Sequence, residues 1–543
     1  YFQVVDDTIR QIWHLSKESQ KFTVEGRRME RADVIADLTK QLNTKDKKSR
    51  IYQGLGSGNK TIRDLGSRFI GFTARLRRAE QFMTWLDDGK STVLFHKYIF
   101  NPIQDALAEY RIAQREMKKE ILDIYKQFDR HEGKIHAEQI NHTFASKQEL
   151  LHAILHSGNL SNKQRLVYGL KWGEELPDGT VDFSRWDAFM LQAMEDGTVT
   201  KKDMDAIQKI WNMFDGYKKQ AQAVHRRMQG RYFEELPNQP LQTPYGLYEG
   251  GYIPADYDPI ASAEADIRSE KSNLDVQKAE LNSATTGANF TKSRVSNFKG
   301  DALLLDLTRL PMHLDKELRY IHLEEKVKQV DSLLRNREFR RELESVAPYV
   351  KNIMSDWLMA VATQQTFKPS GDNLGDRIVE GAKRNSGIVL MAGNFKNAIE
   401  AWTSLPQVMV AVPPSHLLVS SGQYFASSLA KEGMTAKVRA LSPFMDTRLD
   451  NAVNDYRYQI ENLAINPSAL KRGSDFVKSN AYIVQQVLQV PLEVISWNAA
   501  HGDALAKGMN DADAIRHADG VVRQYLTDMT PEGLSSVERG SPL

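Results

Sequence analysis

The residues Gly54 to Thr61, GLGSGNKT, come nearest in this chain to a motif with chemistry of its own. A phosphate-binding loop of pattern GxxxxGK[ST] wraps phosphates in backbone N–H groups and sends its lysine to the outer ones. Here Asn59 stands where the second glycine is required, and the preceding Lys45–Gln53 is charged, unlike the apolar strand that feeds such a loop. The stretch reads as a glycine-rich turn capping a helix from Thr61, with a nucleotide-driven motor as the alternative. His152 and His156, in ELLHAILHS, lie four apart and share a helix face, as metal ligands must. No glutamate lies between them to make HExxH, and a third ligand would have to come from His131, His136 or His142 through the fold. They read as ordinary helix-face histidines. The acidic pairs Asp87–Asp88 and Glu174–Glu175 lie in charged, loop-like surroundings and do not define a catalytic carboxylate pair. With no cysteine in 543 residues, thiol nucleophiles, disulfides, zinc fingers and iron–sulfur clusters are excluded. The sequence points to no catalytic residue, no cofactor and no metal site.

Three basic runs remain: Lys60–Arg63–Arg68–Arg75–Arg77–Arg78; His225–Arg226–Arg227 with Arg231; and Arg335–Arg337–Arg340–Arg341. Each is helical and interleaved with carboxylates, the usual composition of a solvated helix face. Phosphate contact, sequence-independent and salt-sensitive, is the functional alternative; its candidates are Arg75, Arg78, Arg226, Arg227, Arg337 and Arg340. The formal charge of only +2 argues against a dedicated nucleic-acid-coating protein.

Helical periodicity dominates the elements that would position these residues. Ile62, Leu65, Phe69, Phe72, Leu76, Ala79 and Met83 form a three-and-four seam. Met204, Ile207, Trp211, Phe214, Ala221, Val224 and Met228 predict a helix over Asp203–Gln229. Leu323, Val327, Val330 and Leu334 predict one over Asp315–Leu343, and Asn101–Arg130 reads as another. Strand signals reduce to a hairpin at Phe22–Arg27. Gly230–Pro259, rich in Pro, Gly and Tyr, predicts a long ordered loop. The 30 residues Ala401–Ala430 carry no Asp, Glu, Lys or Arg, but Pro413 and Pro414 interrupt them; buried helices broken at that pair are expected rather than a membrane span. The eight tryptophans fall at helical positions and read as core anchors.

The fold expected is mostly α, built of elongated multi-helix bundles with long ordered loops and few or no strands. An N-terminal helical domain spans 1–150 and a helical cassette with a Gly/Tyr-rich loop spans 151–282. The polar, aperiodic 283–300 is a linker, and a C-terminal helical domain spans 301–543. The chain opens on Tyr1 and stops in SSVERGSPL, which reads as a piece of a longer protein.

The cassette carries a resemblance. Gly158–Asn159, Asn162, Arg165, Leu166 and Gly169, then Trp186, Gln208, Ile210 and Trp211, then Gly250–Gly251–Tyr252, Pro254 and Tyr257 stand in order. GNFKNAIEAWTSLPQ (Gly393–Gln407) and SWNAAHGDALAKGMNDADAIRHADGVVRQ (Ser496–Gln524), with Trp497, Ala514, Ala518, Asp519 and Val522, follow. Together they resemble the shared region of tailed-phage internal virion or DNA-ejection proteins, the large polyvalent proteins of phages. The resemblance covers about 150–525, and more loosely 1–150. It implies a non-enzymatic helical body held in the virion interior and ejected at infection into the host periplasm, inner membrane or cytoplasm. It further implies a homo-oligomer that joins other ejection proteins and the portal or tail in an ejectosome, with phage DNA in its lumen and contact with the host inner membrane. The alternative of another class is an accessory helical region of a giant injected virion enzyme, such as a virion RNA polymerase.

Overall fold

The computed structural model of the chain describes residues 32–43, 79–87, 94–129, 133–177, 180–233, 235, 237–256, 302–346, 350–363, 408–427, 433–449 and 490–526. The Gly54–Thr61 turn, Arg75 and Arg78, the Phe22–Arg27 hairpin and the 283–300 linker lie outside them. Helix accounts for 74% of what is described, with two small antiparallel sheets, so the fold is mostly α. The chain divides into two compact units. The first takes Tyr1–Gly26, Ala113–Glu325 and Asp455–Asn466; the second takes Arg27–Ile112, Lys326–Asn454 and Pro467–Leu543.

In the first unit the helix Lys147–Ser157 is central. Nine of its eleven residues are buried, Leu150, Leu151, Ala153, Ile154 and Leu155 completely. A helix buried on all sides has no solvent face, so its polar Lys147, His152 and His156 are enclosed with its apolar residues. The Ser146 hydroxyl accepts from Glu149 N to start it, and Glu149 reaches back to Ala145 N. Asn159 caps the next helix, Leu160–Gly169, by accepting from Asn162 N. The long helix Lys201–Gln229 opens on a full capping box between Thr200 and Asp203 and closes on Gly230, whose φ of 72° suits glycine. Of the predicted stripe, Met204, Ile207, Trp211, Phe214, Ala221 and Val224 are buried, and Met228 is half-buried.

Two hairpins escape the periodicity reading because each strand is three residues long: Ile135–Ala137 with His142–Phe144, and Leu241–Thr243 with Gly246–Tyr248. The second lies inside the predicted loop Gly230–Pro259. Its turn is closed by the Thr243 hydroxyl, which donates to Gly246 O and accepts from Tyr245 N.

The helix Asn101–Tyr125, in the second unit as far as Ile112 and in the first from Ala113, begins where expected, follows a π-helical turn His96–Phe100, and ends five residues before Arg130. The helix predicted over Asp315–Leu343 is two helices, Leu310–Leu334 and Arg337–Val346. The Asn336 side chain accepts from Glu338 N and Phe339 N, starting a new helix where the pattern alone would continue the old one. Within 401–430, the helix Pro414–Ser427 starts at the proline pair, which supplies a helix-compatible φ at its N-terminus. It is half exposed rather than buried: Leu417 and Ser420 face inward, whereas Leu418 and Val419 are exposed. Among the described residues no helix is long and apolar enough to cross a membrane. The core here gathers Val408, Val412, Leu417, Val438, Met445, Ile495, Trp497 and Val522 from helices far apart in sequence.

Candidate functional site

Several residues of the cassette fasten the loop 237–256 to the helices, and Trp186 joins helix to helix. Gly158 O accepts from both Gln239 N and Gly251 N at 2.9 Å. Trp211 lies between the two glycines: a Cβ on Gly158 would stand 2.5 Å from its ring, and one on Gly251 2.4 Å from its Cβ. Only glycine permits this approach. Trp211 Nε1 donates to Leu155 O at 3.0 Å, and Trp186 Nε1 to Ser157 Oγ at 2.8 Å. Asn159 Nδ2 donates to Pro237 O, Asn162 Nδ2 to Ile253 O, and Gln208 Oε1 accepts from Glu249 N. Trp172 stacks on Trp186 at 5.0 Å, with Phe144 and Phe189 against them. These are satisfied interior groups holding a fold, with no nucleophile paired to a base.

A polar cluster lies beyond this apolar region. His152 and His156 are buried, with ring centroids 4.8 Å apart. Neither ring nitrogen of His152 has a hydrogen-bond partner among the described residues. Burial drives the His152 imidazole down to about 4, against the pull of Asp306 and Asp256. His313, from the first turns of Leu310–Leu334, places Nε2 2.8 Å from Asp256 Oδ2, and Arg309 stands 3.7 Å from the same oxygen. Burial raises the Asp256 carboxyl, but the hydrogen bond and charge of His313, with Lys316 and Arg309, outweigh it and hold the group at about 2. Leu304 N donates to Asp256 O, so segments 48 residues apart in sequence are joined here. The helix-face histidines of the sequence reading are thus interior groups. Asp256 and His313 carried no sequence signal, since they are 57 residues apart and share no motif.

The second unit buries carboxylates against tryptophan and arginine donors. Asp519 Oδ1 accepts from Trp497 Nε1 and Ser442 Oγ, both at 2.7 Å. Burial pushes its carboxyl up to about 6, although Arg523 and these two hydrogen bonds oppose the shift. Arg523 makes a two-point pair with Glu80 at 3.0 and 3.2 Å and lies over the ring of Phe444. Asp87, read from sequence as loop-like, is buried and caps the π-helical turn: it accepts from Phe95 N and His96 N and meets His96 Nδ1 at 2.8 Å.

Of the arginine candidates, Arg226, Arg227, Arg337 and Arg340 are described and all are exposed. Arg226 and Arg227 sit in the last turn of the long helix, where the helix dipole favours cations. Arg226 donates to the Tyr232 hydroxyl, Arg227 pairs with Glu325 at 3.1 Å, and Arg340 pairs with Glu344 at 2.8 Å. Glu174 and Glu175 are exposed. Among the described residues no group of three His, Asp or Glu side chains is placed to hold a metal ion. No protein-family model matches the chain, and neither a curated protein nor a solved structure matches it.

Proposed function

We propose that this chain is a structural segment of a bacteriophage internal virion protein, delivered at infection and assembling as a homo-oligomer into a genome-translocating conduit across the host envelope. The supporting observation is that the residues carrying the resemblance have packing or fastening roles. Gly158, Asn159, Asn162, Gln208, Trp211 and Gly251 join the loop to its helices, Trp186 bonds to the central helix at Ser157, and Trp497 and Asp519 bond to each other in the second unit. Such a signature marks a shared body rather than a shared reaction. Under this reading the chain has no catalytic role of its own, other ejection proteins and the portal or tail are its partners, and phage DNA runs through the assembled lumen. The exposed Arg226 and Arg337 are the candidates for contact with its phosphates, and Arg227 and Arg340 would exchange carboxylate partners for them. Mass spectrometry of purified virions, with cryo-microscopy of virions and of ejected complexes, tests the proposal. The expected result is the chain inside the capsid before ejection and in an envelope-spanning assembly afterwards; its absence from purified virions overturns it.

A further inference from the structure

Three chain segments meet at His152: the central helix Lys147–Ser157, the end of the fastened loop at Asp256, and the stretch from Leu303 into the helix Leu310–Leu334. The groups facing it can be enumerated by element. Its own helix supplies His156, one turn on. The loop end supplies Asp256, the turn at 306–309 supplies Asp306, and the following helix supplies His313, while Arg309 and Lys316 act on Asp256. Other elements against the central helix direct their charges elsewhere: Asp203 to Lys147, His142 to Glu149, and Lys163 to Asp187.

We propose that this cluster is an acid-operated latch, in which a proton taken up by the His152 imidazole at reduced pH separates the central helix from the segments at Asp256 and Leu303. The geometry carries the proposal. His152 is 3% exposed, so a charge created there is cut off from water. Both nearby carboxylates are engaged: Asp256 by His313 at 2.8 Å, and Asp306 by Thr308 N and Oγ1 at 2.9 and 2.7 Å. A protonated His152 would therefore meet, beside His156 and His313, only carboxylates already engaged by other donors, and their pull does not offset the loss of water. Opening the segments returns the ring to water and to an ordinary imidazole pKa. The lowering of His152 by burial sets the range: opening becomes about tenfold more populated per pH unit below 6.5, down to about 4.

Hydrogen–deuterium exchange of the full chain at pH 7 and pH 4.5, expressed as protection factors, tests the latch. Peptides covering 147–157, 249–256 and 303–313 are expected to lose roughly 100-fold in protection at pH 4.5, two units below 6.5. Both His152→Leu and His152→Gln should hold protection nearly constant over that range, and His156→Gln should retain the loss. Use of two replacements keeps the test valid if one of them does not fold. Unchanged protection of the wild-type chain at pH 4.5 overturns the proposal, as does an undiminished loss in whichever His152 variant folds.

Discussion

The two units hold their buried tryptophan N–H groups by different means. In the first, tryptophan N–H groups end on neutral acceptors, Trp211 on Leu155 O and Trp186 on Ser157 Oγ, and glycines bring backbone directly against an indole. The His152 imidazole has no hydrogen-bond partner among the described residues, and burial favours its neutral form. In the second, Trp497 ends on the Asp519 carboxylate, and Glu80 and Glu493 are buried against Arg523 and Arg448. Burial disfavours charge in both, but a neutral imidazole is the deprotonated form and a neutral carboxyl the protonated one. The same physical term therefore gives His152 and Asp519 opposite responses to acid.

The steepest contrast lies in tolerance to one methyl group. Gly158→Ala drives a Cβ to 2.5 Å from the Trp211 ring and 2.7 Å from Gly251 N. Chemical denaturation should show a loss of about 3 kcal/mol, the upper range for overpacking. Gly422→Ala in the second unit meets open space and should be stabilising by up to about 1 kcal/mol through helix propensity. Equal effects at the two positions would dissolve the distinction.

Next in size is pH. His152 is depressed from 6.5 to about 4, so its contribution is present above pH 6.5 and lost as pH falls through that window. Asp519 is raised from 3.8 to about 6, so its contribution is present below pH 3.8 and lost as pH rises towards and through 6. Each amounts to roughly 3 kcal/mol at 1.36 kcal/mol per unit. Asp519→Asn should abolish the second-unit dependence between pH 4 and 6 while leaving the first unit's intact, as read by hydrogen exchange in 511–525 against 147–157. Should Asp519→Asn flatten both, the units do not titrate separately.

Smaller effects separate the tryptophans. Trp497→Phe removes a donor from a buried carboxylate and should lower stability by about 2–3 kcal/mol, whereas Trp186→Phe, losing a bond to a hydroxyl, should lower it by about 1 kcal/mol. Thermal denaturation of the two variants at pH 7 ranks them; the reverse order would remove charge as the distinguishing factor. Least affected is the exposed Arg340–Glu344 pair, where Glu344→Ala should change stability by about 0.3–0.5 kcal/mol.

The helices were legible wherever a long apolar stripe met a capping residue. Met204 to Val224 behind Thr200 and Asp203 is such a case, because local spacing determines both the face and the start. Asn336 shows where that logic stopped: the stripe on either side of it is continuous, and only the side chain's turn toward Glu338 N and Phe339 N divides the helix. The three-residue strands were too short to show alternation. In the cassette the seam through Trp211 was legible, but its contact with Gly158 and Gly251 was not.

Sequence by itself therefore determined the helical class, the caps and the exclusion of thiol chemistry, since these depend on residue type and near-neighbour spacing. Tertiary structure alone decided which polar groups lost water. His152 and His156 carry the same spacing on a solvated helix as on an enclosed one, and Asp256 finds His313 across 57 residues of sequence. Burial and long-range pairing set a group's charge state, and both are properties of how the segments pack rather than of the order in which they are joined.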